Sequence, residues 1–396
     1  MFMYFKRQID LVIKPYISAK EILVVTGMRR VGKTALLRNI YDKLKTTNKV
    51  FFDFENTLDR NVFNELDYNN IIANFSAYDV SSLKKMYVFI DEIQMQPETV
   101  SSIKYLYDHY NIKFFITGSS SYYLKNLFPE SLAGRKIIFE MFPLTFSEFL
   151  VFKQLRKKEY ENFAERDAEK NKIRYEKTKK HFDEYLYFGG FPQVVLTSSE
   201  ALKKQQLNDI FRSYYEKDIQ ILGDFRNLNV FRDLMFLLMQ RTGSTLDITK
   251  LSSETGVSRD TIYSYLAFLQ GTYFIDLINP FTNNPDREIS GRKKVYICDT
   301  GIVNHFAKVS EGNLFENSVY NNLKHHGKVN YYQRRSGGEI DFVLPEKNIS
   351  FEVKLSGTER DLAKAKKISS SLKIPECYVV SKKFHQTKGF IPATEL

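Results

Sequence analysis

Between Glu21 and Met141 short apolar runs alternate with longer stretches in which apolar positions recur at helical spacing. The runs are Ile22 to Val25, Val50 to Phe54, Tyr87 to Ile90, Phe114 to Thr117 and Ile137 to Phe142. Short runs rich in Val, Ile and Phe are strand-like, and the segments between them are long enough for helical crossovers. The pattern therefore predicts a parallel α/β sheet. Beyond the fifth run the pattern changes. Residues 148 to 180 are crowded with Lys, Arg and Glu and predict a solvated helix or helical hairpin. Phe188-Gly-Gly-Phe-Pro192 interrupts it, and a helical stretch from Lys203 to Leu222 follows. From Asn227 short helices are predicted. One ends at Gly256, and Ser258 caps the next, Arg259 to Leu269, before a strand-like Tyr273 to Ile278. That is helix-turn-helix spacing with a candidate wing. The second helix exposes Ser258, Arg259, Asp260, Tyr263 and Ser264, few cations for a DNA-reading helix, so DNA contact and a packing or oligomerising role both stay open.

Residues 27 to 34, Gly27-Met-Arg-Arg-Val-Gly-Lys-Thr34, sit between the first strand and a helix start. A phosphate chain needs backbone N–H groups turned inward, glycines to permit the turn, a lysine to reach the outer phosphates and a hydroxyl for Mg²⁺. Gly27, Arg29, Arg30, Val31 and Gly32 supply the loop, and Lys33, Thr34 and Ala35 open the helix, whose dipole adds positive potential. The third strand ends in Asp91-Glu92. Asp91 is the expected metal carboxylate and Glu92 the residue that orients or deprotonates the attacking water. The carboxyl ends of such strands are where ligands sit. Ser119, just past the fourth strand, is placed to sense the γ-phosphate or the lytic water, or is an ordinary turn serine. Arg135, before the fifth strand, is placed to enter a neighbouring subunit's site and neutralise transition-state charge, or forms a surface salt bridge.

A second acidic group lies near the C-terminus. Gly337-Gly-Glu-Ile-Asp341-Phe-Val and Ile349-Ser-Phe-Glu352-Val-Lys354 read as two strands joined by a short turn. Simple alternation along each strand predicts that Asp341, Glu352 and Lys354 converge in a hairpin. Two carboxylates can hold Mg²⁺ against a phosphodiester, and a neighbouring lysine can activate water or stabilise the phosphorane. Glu316, on the amphipathic stretch Leu314 to Leu323, is the candidate third metal ligand. A surface hairpin with ordinary alternating charges is the alternative.

Length and charge narrow these expectations. A chain of 396 residues suggests several domains. From Asp286 onward 19 Lys and Arg face 13 Asp and Glu, within a whole-chain net charge of +11. Such a basic surface favours a polyanion, nucleic acid and in the first place DNA. The two cysteines, Cys298 and Cys377, lie in apolar strands, and the six histidines lack ligand spacing, which argues against zinc and against a disulfide framework. Neither a membrane span nor a cleavable leader is indicated, so a cytoplasmic location without membrane partners is expected.

With these residues in hand the chain resembles a family of prokaryotic AAA-type P-loop ATPases fused to a C-terminal PD-(D/E)XK nuclease-like domain. The motifs that carry the resemblance are Gly27 to Thr34, Phe89-Ile-Asp-Glu-Ile-Gln94, Thr117-Gly-Ser-Ser, Leu132-Ala-Gly-Arg135, Phe142 to Phe149, Gly189-Gly-Phe-Pro192, Tyr296-Ile-Cys-Asp-Thr-Gly301 and the two C-terminal strands. The resemblance implies active-site positions at Glu316, Asp341, Glu352 and Lys354, although Ile340 stands where such domains usually carry proline. The expected organisation is an ATPase core at 1–148, a helical extension at 149–222, a winged-helix domain at 223–285 and the nuclease-like α/β domain at 286–396. The expected activity is ATP hydrolysis with Mg²⁺, in a protein that self-associates stably or transiently. Its nucleotide state is expected to control a domain that binds or cuts nucleic acid. The alternatives are an ATP-dependent switch or a DNA-binding regulator without nuclease activity.

Overall fold

Strands that are apolar on both faces need cover on both sides, which is the situation of a parallel sheet wrapped by its own crossover helices. In the computed structural model, which describes residues 4–119, 134–155, 158–219, 227–282, 288, 291–334 and 337–396, the five predicted strands form such a sheet. They are β1 (Ile22–Thr26), β2 (Lys49–Asp53), β3 (Met86–Asp91), β4 (Ile112–Gly118) and β5 (Lys136–Glu140). Their order is β2-β3-β4-β1-β5, and every pairing is parallel. β1 and β4 are buried along their whole length. Because β4 lies between β1 and β3, the loops leaving the carboxyl ends of these three strands are neighbours. This order brings the glycine loop, the Asp91-Glu92 pair and Ser119 to one edge.

The sheet belongs to the first of two compact units, Met1–Phe142 with Gly271–Tyr273; the second is Pro143–Gln270 with Phe274–Leu396. In the second unit the charged stretch expected to be solvated is partly buried instead. Its helices are Phe163–Ala168 and Lys172–Phe188. Asp167 and Lys170 form a buried ion pair at 2.6 Å. Asp167 also accepts the Gly389 amide, and Lys170 donates to the carbonyls of Thr387 and Phe390. Arg174 pairs with Glu395 at 2.7 Å. A polar pattern says nothing about whether its charges find partners, and here they pin the C-terminal segment.

The helices Leu228–Gln240, Ile248–Thr255 and Arg259–Gly271 follow, and then β6 (Ile275–Ile278) pairs antiparallel with β7 (Lys294–Ile297). Gly256 takes the left-handed conformation at φ +70° that stops the second helix, and Ser258 Oγ accepts the Thr261 amide at 3.1 Å. The expected boundary at residue 286 thus has a hydrogen-bonded strand pair across it.

A mixed sheet closes the chain: β8 (Asn330–Arg334), β9 (Gly338–Leu344), β10 (Ile349–Lys354), β11 (Glu376–Ser381) and β12 (Phe390–Pro392), in the order β12-β11-β10-β9-β8. β8, β9 and β10 are antiparallel, and β11 and β12 run parallel to β10. Phe342 meets Tyr320 of the helix Glu311–Leu323, whereas its neighbour Val343 packs with Ala365 and Ile368 of the helix Glu359–Ser371. Adjacent residues of a strand point to opposite faces, so one helix covers each face.

Two of the quoted motifs meet in this unit for a structural reason. Asp299 caps the helix Thr300–Phe306 by accepting the amides of Gly301 at 2.9 Å and Ile302 at 3.3 Å, and it takes the Gly190 amide at 2.6 Å. Gly189 lies at φ +76°, and a Cβ there would overlap the Asp299 carboxylate. Burial pushes that carboxyl up to about 6 against the pull of the three amides. Cys298 and Cys377 are both buried free thiols. Among the described residues no helix is long and apolar enough to cross a membrane. Asp299→Ala leaves three buried amides without an acceptor, at about 1–3 kcal/mol each. Thermal unfolding should move down by several degrees, and an unchanged midpoint would show that the cap does not hold the motifs together.

Candidate nucleotide site and candidate metal centre

The loop after β1 is shaped by its contacts with the chain leaving β5. Met141 N donates to Thr26 O at 2.7 Å, and Gly27, at φ +151°, has no room for a Cβ against the Met141 carbonyl. Gly32 is left-handed at φ +104° and opens the helix Lys33–Lys43. Arg30 is also left-handed, at φ +68°. Val31 is buried, Ala35 is half-buried, and Arg29 reaches Glu55 at 3.7 Å. The Lys33 ammonium is buried and folds back on its own loop, donating to the carbonyls of Gly27 at 2.9 Å and Met28 at 3.1 Å. It lies 3.9 Å from Glu92 Oε1.

Two polar chains run along the sheet edge from this loop. Thr34 Oγ1 donates to Asp91 Oδ2 at 2.7 Å, and Thr117 donates to the other Asp91 oxygen. Burial raises the Asp91 carboxyl above its ordinary value, and the two threonine hydroxyls partly restore it. A hydroxyl and a carboxylate in contact at the start of this helix are a donor set that fits Mg²⁺ beside a phosphate. Glu92 is held left-handed at φ +57°, a conformation that costs a non-glycine residue about 1 kcal/mol or more and that collects at functional sites. Its amide donates to Thr117 Oγ1 at 3.0 Å. The second chain passes through Gln94, whose amide group donates to Glu92 and, at 2.9 Å, to the buried Ser119 hydroxyl. Gln94 thereby links Ser119 to Glu92. The serines that follow it, and Leu132 and Ala133 of the arginine motif, lie outside the described residues.

Arg135 stands elsewhere. It precedes β5, which runs parallel to β1, so it is at the amino edge of the sheet, opposite the glycine loop. At roughly 3.3 Å per residue the five-residue strand separates the two edges by about 17 Å. Its guanidinium pairs with Asp108 of its own chain at 2.8 Å. Three residues that were not singled out as site residues prove important: Gln94, Thr117 and Arg7. Arg7 is buried and donates to Val31 O and Phe142 O, each at 3.0 Å, which ties the loop to the exit from β5. Gln94 and Thr117 stand inside the quoted motifs, whereas Arg7 carries no such signal.

The C-terminal acidic residues divide into two groups that meet at Asp341. The register between β8 and β9 jumps from Asn330↔Val343 to Tyr332↔Ile340, so β9 carries one residue more than its partner beside Asp341. That irregularity breaks the simple alternation from which convergence was expected. On β10, Ser350 bonds Ser369 of the helix Glu359–Ser371, and Glu352 and Lys354 follow at the same parity. Lys354 Nζ lies 2.7 Å from Glu352 Oε1. On the other side Glu316 Oε1 accepts from Tyr296 OH at 2.6 Å and faces Lys294 Nζ at 3.5 Å, and Lys294 lies 2.6 Å from Glu339. The Asp341 carboxylate takes the Val353 amide at 2.7 Å where the β9–β10 ladder ends.

Electrostatics link the two groups. Burial and the Asp341 charge push Glu316 and Glu352 each up to about 7. Burial raises Asp341 as well, against the pull of Lys294 and Lys354. For Lys294, burial alone acts to lower the ammonium, but Glu316, Asp341 and Glu339 hold it above its usual value. Among the described residues no three carboxylate, thiolate or imidazole groups come close enough to cage a metal ion. The pair Asp341 and Glu352 still fits Mg²⁺, which takes one or two carboxylates and completes its shell with water and phosphate oxygens. Glu352 Oε2 is buried without a hydrogen-bond partner, which an ion would supply. Sequence reasoning missed Lys294 and Tyr296, although polar groups at one parity of the otherwise apolar β7 were a signal.

Residues 19–150 match the family model described as an AAA domain. Residues 179–313 and 311–395 match two models described as domains of unknown function, DUF8612 and DUF4143. The chain is similar to an uncharacterized protein of Methanocaldococcus jannaschii, MJ1544, with 30% identity over 371 residues, 89% of this chain and 80% of that protein. An uncharacterized protein of Haemophilus influenzae is 25% identical over 359 residues, 86% of this chain and 85% of that protein. A solved structure of Thermotoga maritima RuvB is 15% identical, with a TM-score of 0.33, over 69% of this chain and 90% of that one. At that score it adds nothing to the AAA match. Gly27→Ala, by pushing the loop off Met141, should abolish nucleotide binding while the far-ultraviolet circular dichroism stays that of the parent; binding at parental affinity would show that the loop tolerates another path.

Proposed function

The chain belongs to the family that includes MJ1544 of Methanocaldococcus jannaschii and carries an AAA domain over residues 19–150, and we propose that it binds and hydrolyses ATP with Mg²⁺ and that its nucleotide state controls a C-terminal nuclease-like domain acting on nucleic acid. The observation that carries the first half is the meeting of Lys33, Thr34, Asp91 and Glu92 at one sheet edge, with Thr34 and Asp91 in contact at 2.7 Å. The amides of the glycine loop cradle the phosphates, and Lys33 exchanges its loop carbonyls for phosphate oxygens. Thr34 and Asp91 would hold Mg²⁺, which would supply positive charge against the developing charge on the phosphates. Glu92, beside Lys33, orients the lytic water and takes its proton. Gln94 couples Glu92 to Ser119, so the presence of a γ-phosphate is read by the base and the sensor together. Arg135 acts in this scheme only across a subunit boundary, after leaving Asp108, which makes self-association part of the proposal.

The second half rests on Asp341, Glu352 and Lys354. Asp341 and Glu352 hold a divalent ion, and Lys354, 2.7 Å from Glu352, faces the water that attacks a phosphodiester. The helices from Leu228 to Gly271 followed by the β6–β7 pair support the winged-helix reading, in which the exposed Arg259 and Tyr263 would meet nucleic acid. One observation favours a second reading, an ATP-driven switch whose C-terminal domain holds nucleic acid without cutting it. The acidic residues fall into two groups instead of one cage.

Glu92→Gln should bind ATP like the parent while turnover falls by at least about 100-fold, the low end for loss of a general base. Unchanged turnover would remove Glu92 from the chemistry. Metal-dependent cutting should vanish in Asp341→Ala and in Lys354→Ala with ATP hydrolysis intact. No cutting of any DNA or RNA form by the parent would favour the switch.

A further inference from the structure

Lys294 belongs to β7, outside the segment 311–395 that holds the other members of the acid site. It is buried, 4% exposed, and yet it lies within ion-pair distance of two carboxylates, Glu339 at 2.6 Å and Glu316 at 3.5 Å. Its ammonium also sits 5.4 Å from the centre of the Tyr331 ring. A buried lysine is costly unless its charge is met, and a lysine in these surroundings is met from three directions. Tyr296, fully buried two residues on, donates to Glu316 Oε1 at 2.6 Å. One oxygen of the expected third ligand, Glu316 Oε1, is thereby engaged twice.

The charges of the cluster point the same way. With all four carboxylates ionised, as a bound cation would require, Glu316, Glu339, Asp341 and Glu352 face Lys294 and Lys354, which leaves an excess of two negative charges. One divalent ion balances that excess, and two would overshoot it. The only oxygen of the cluster found buried without a hydrogen-bond partner among the described residues is Glu352 Oε2, whose other oxygen is paired with Lys354 and not with Lys294.

We propose that Lys294 is a resident cation of the C-terminal acid site, that together with Tyr296 it holds Glu316 and Glu339 out of metal coordination, and that the site takes one divalent ion, on Asp341 and Glu352, instead of two. Lys294 and Tyr296 are positioning residues: they act through Glu316 and Glu339. The inference rests on the metal-site reading above and makes the β6–β7 pair part of the site's architecture, so that displacement of β7 changes the charge at the metal.

The test is Mn²⁺ binding to the nucleotide-free full-length chain, followed by the electron paramagnetic resonance of the free ion. The parent should bind one ion more than Asp341→Asn. Lys294→Met should gain a second Asp341-dependent ion or bind the first at least tenfold more tightly, because the carboxylates it released are now uncompensated. Lys294→Arg, which keeps the charge, should restore the parental count and affinity. Two Asp341-dependent ions in the parent overturn the inference even if Lys294→Met fails to fold, and so does a folded Lys294→Met with parental binding. No Asp341-dependent ion in the parent or in Lys294→Met overturns the metal-site reading itself.

Discussion

A buried ammonium and a buried carboxylate on neighbouring loop and strand ends are expensive to keep without a partner, and the first unit is organised around that constraint. Lys33 and Asp91 are both nearly inaccessible, at 4% and 3% exposure. Lys33 is met by two loop carbonyls and by Glu92, and Asp91 is met by the hydroxyls of Thr34 and Thr117. The strand order β2-β3-β4-β1-β5 makes this possible, because only there do the ends of β1, β4 and β3 lie side by side. The left-handed Glu92 and the close approach of Gly27 to Met141 are local costs of holding this geometry, offset by the packing of the apolar strands beneath.

The same principle governs the second unit with different hardware. Four carboxylates are gathered around the end of the β9–β10 ladder, and two lysines from different elements keep them in place. Both sites therefore place a lysine among acidic groups at a strand end. In the first the lysine folds back on the carbonyls of its own glycine loop. In the second, Lys294 is locked between Glu316 and Glu339, and Lys354 is the more exposed of the pair.

The sheet was legible in the sequence because burial on both faces leaves unbroken apolar runs, and all five strands fall where those runs stand. The glycine loop and the acidic strand end were legible for a related reason: their chemistry demands particular residue types at fixed spacing. What escaped was set by contacts distant in sequence. Arg7 reaches Val31 and Phe142, and nothing near it announces that reach. Arg166, Lys170 and Arg174 of the 148–180 stretch look solvated until their partners at 387–395 are placed beside them. The extra residue in β9 moves side chains between faces, and a period-two reading cannot see it. Asp299 shows the reverse case, since its motif was visible while its role, as a helix cap that also takes the Gly190 amide, emerged only from the geometry.

The central claim is that the loop from Gly27 to Thr34 grips a triphosphate through Lys33. Titration of a fluorescent ATP analogue against the parent and a folded Lys33→Ala tests it most directly. Loss of a charged hydrogen-bond donor to phosphate predicts weaker binding by at least about tenfold. Equal affinity in the two proteins would contradict the account.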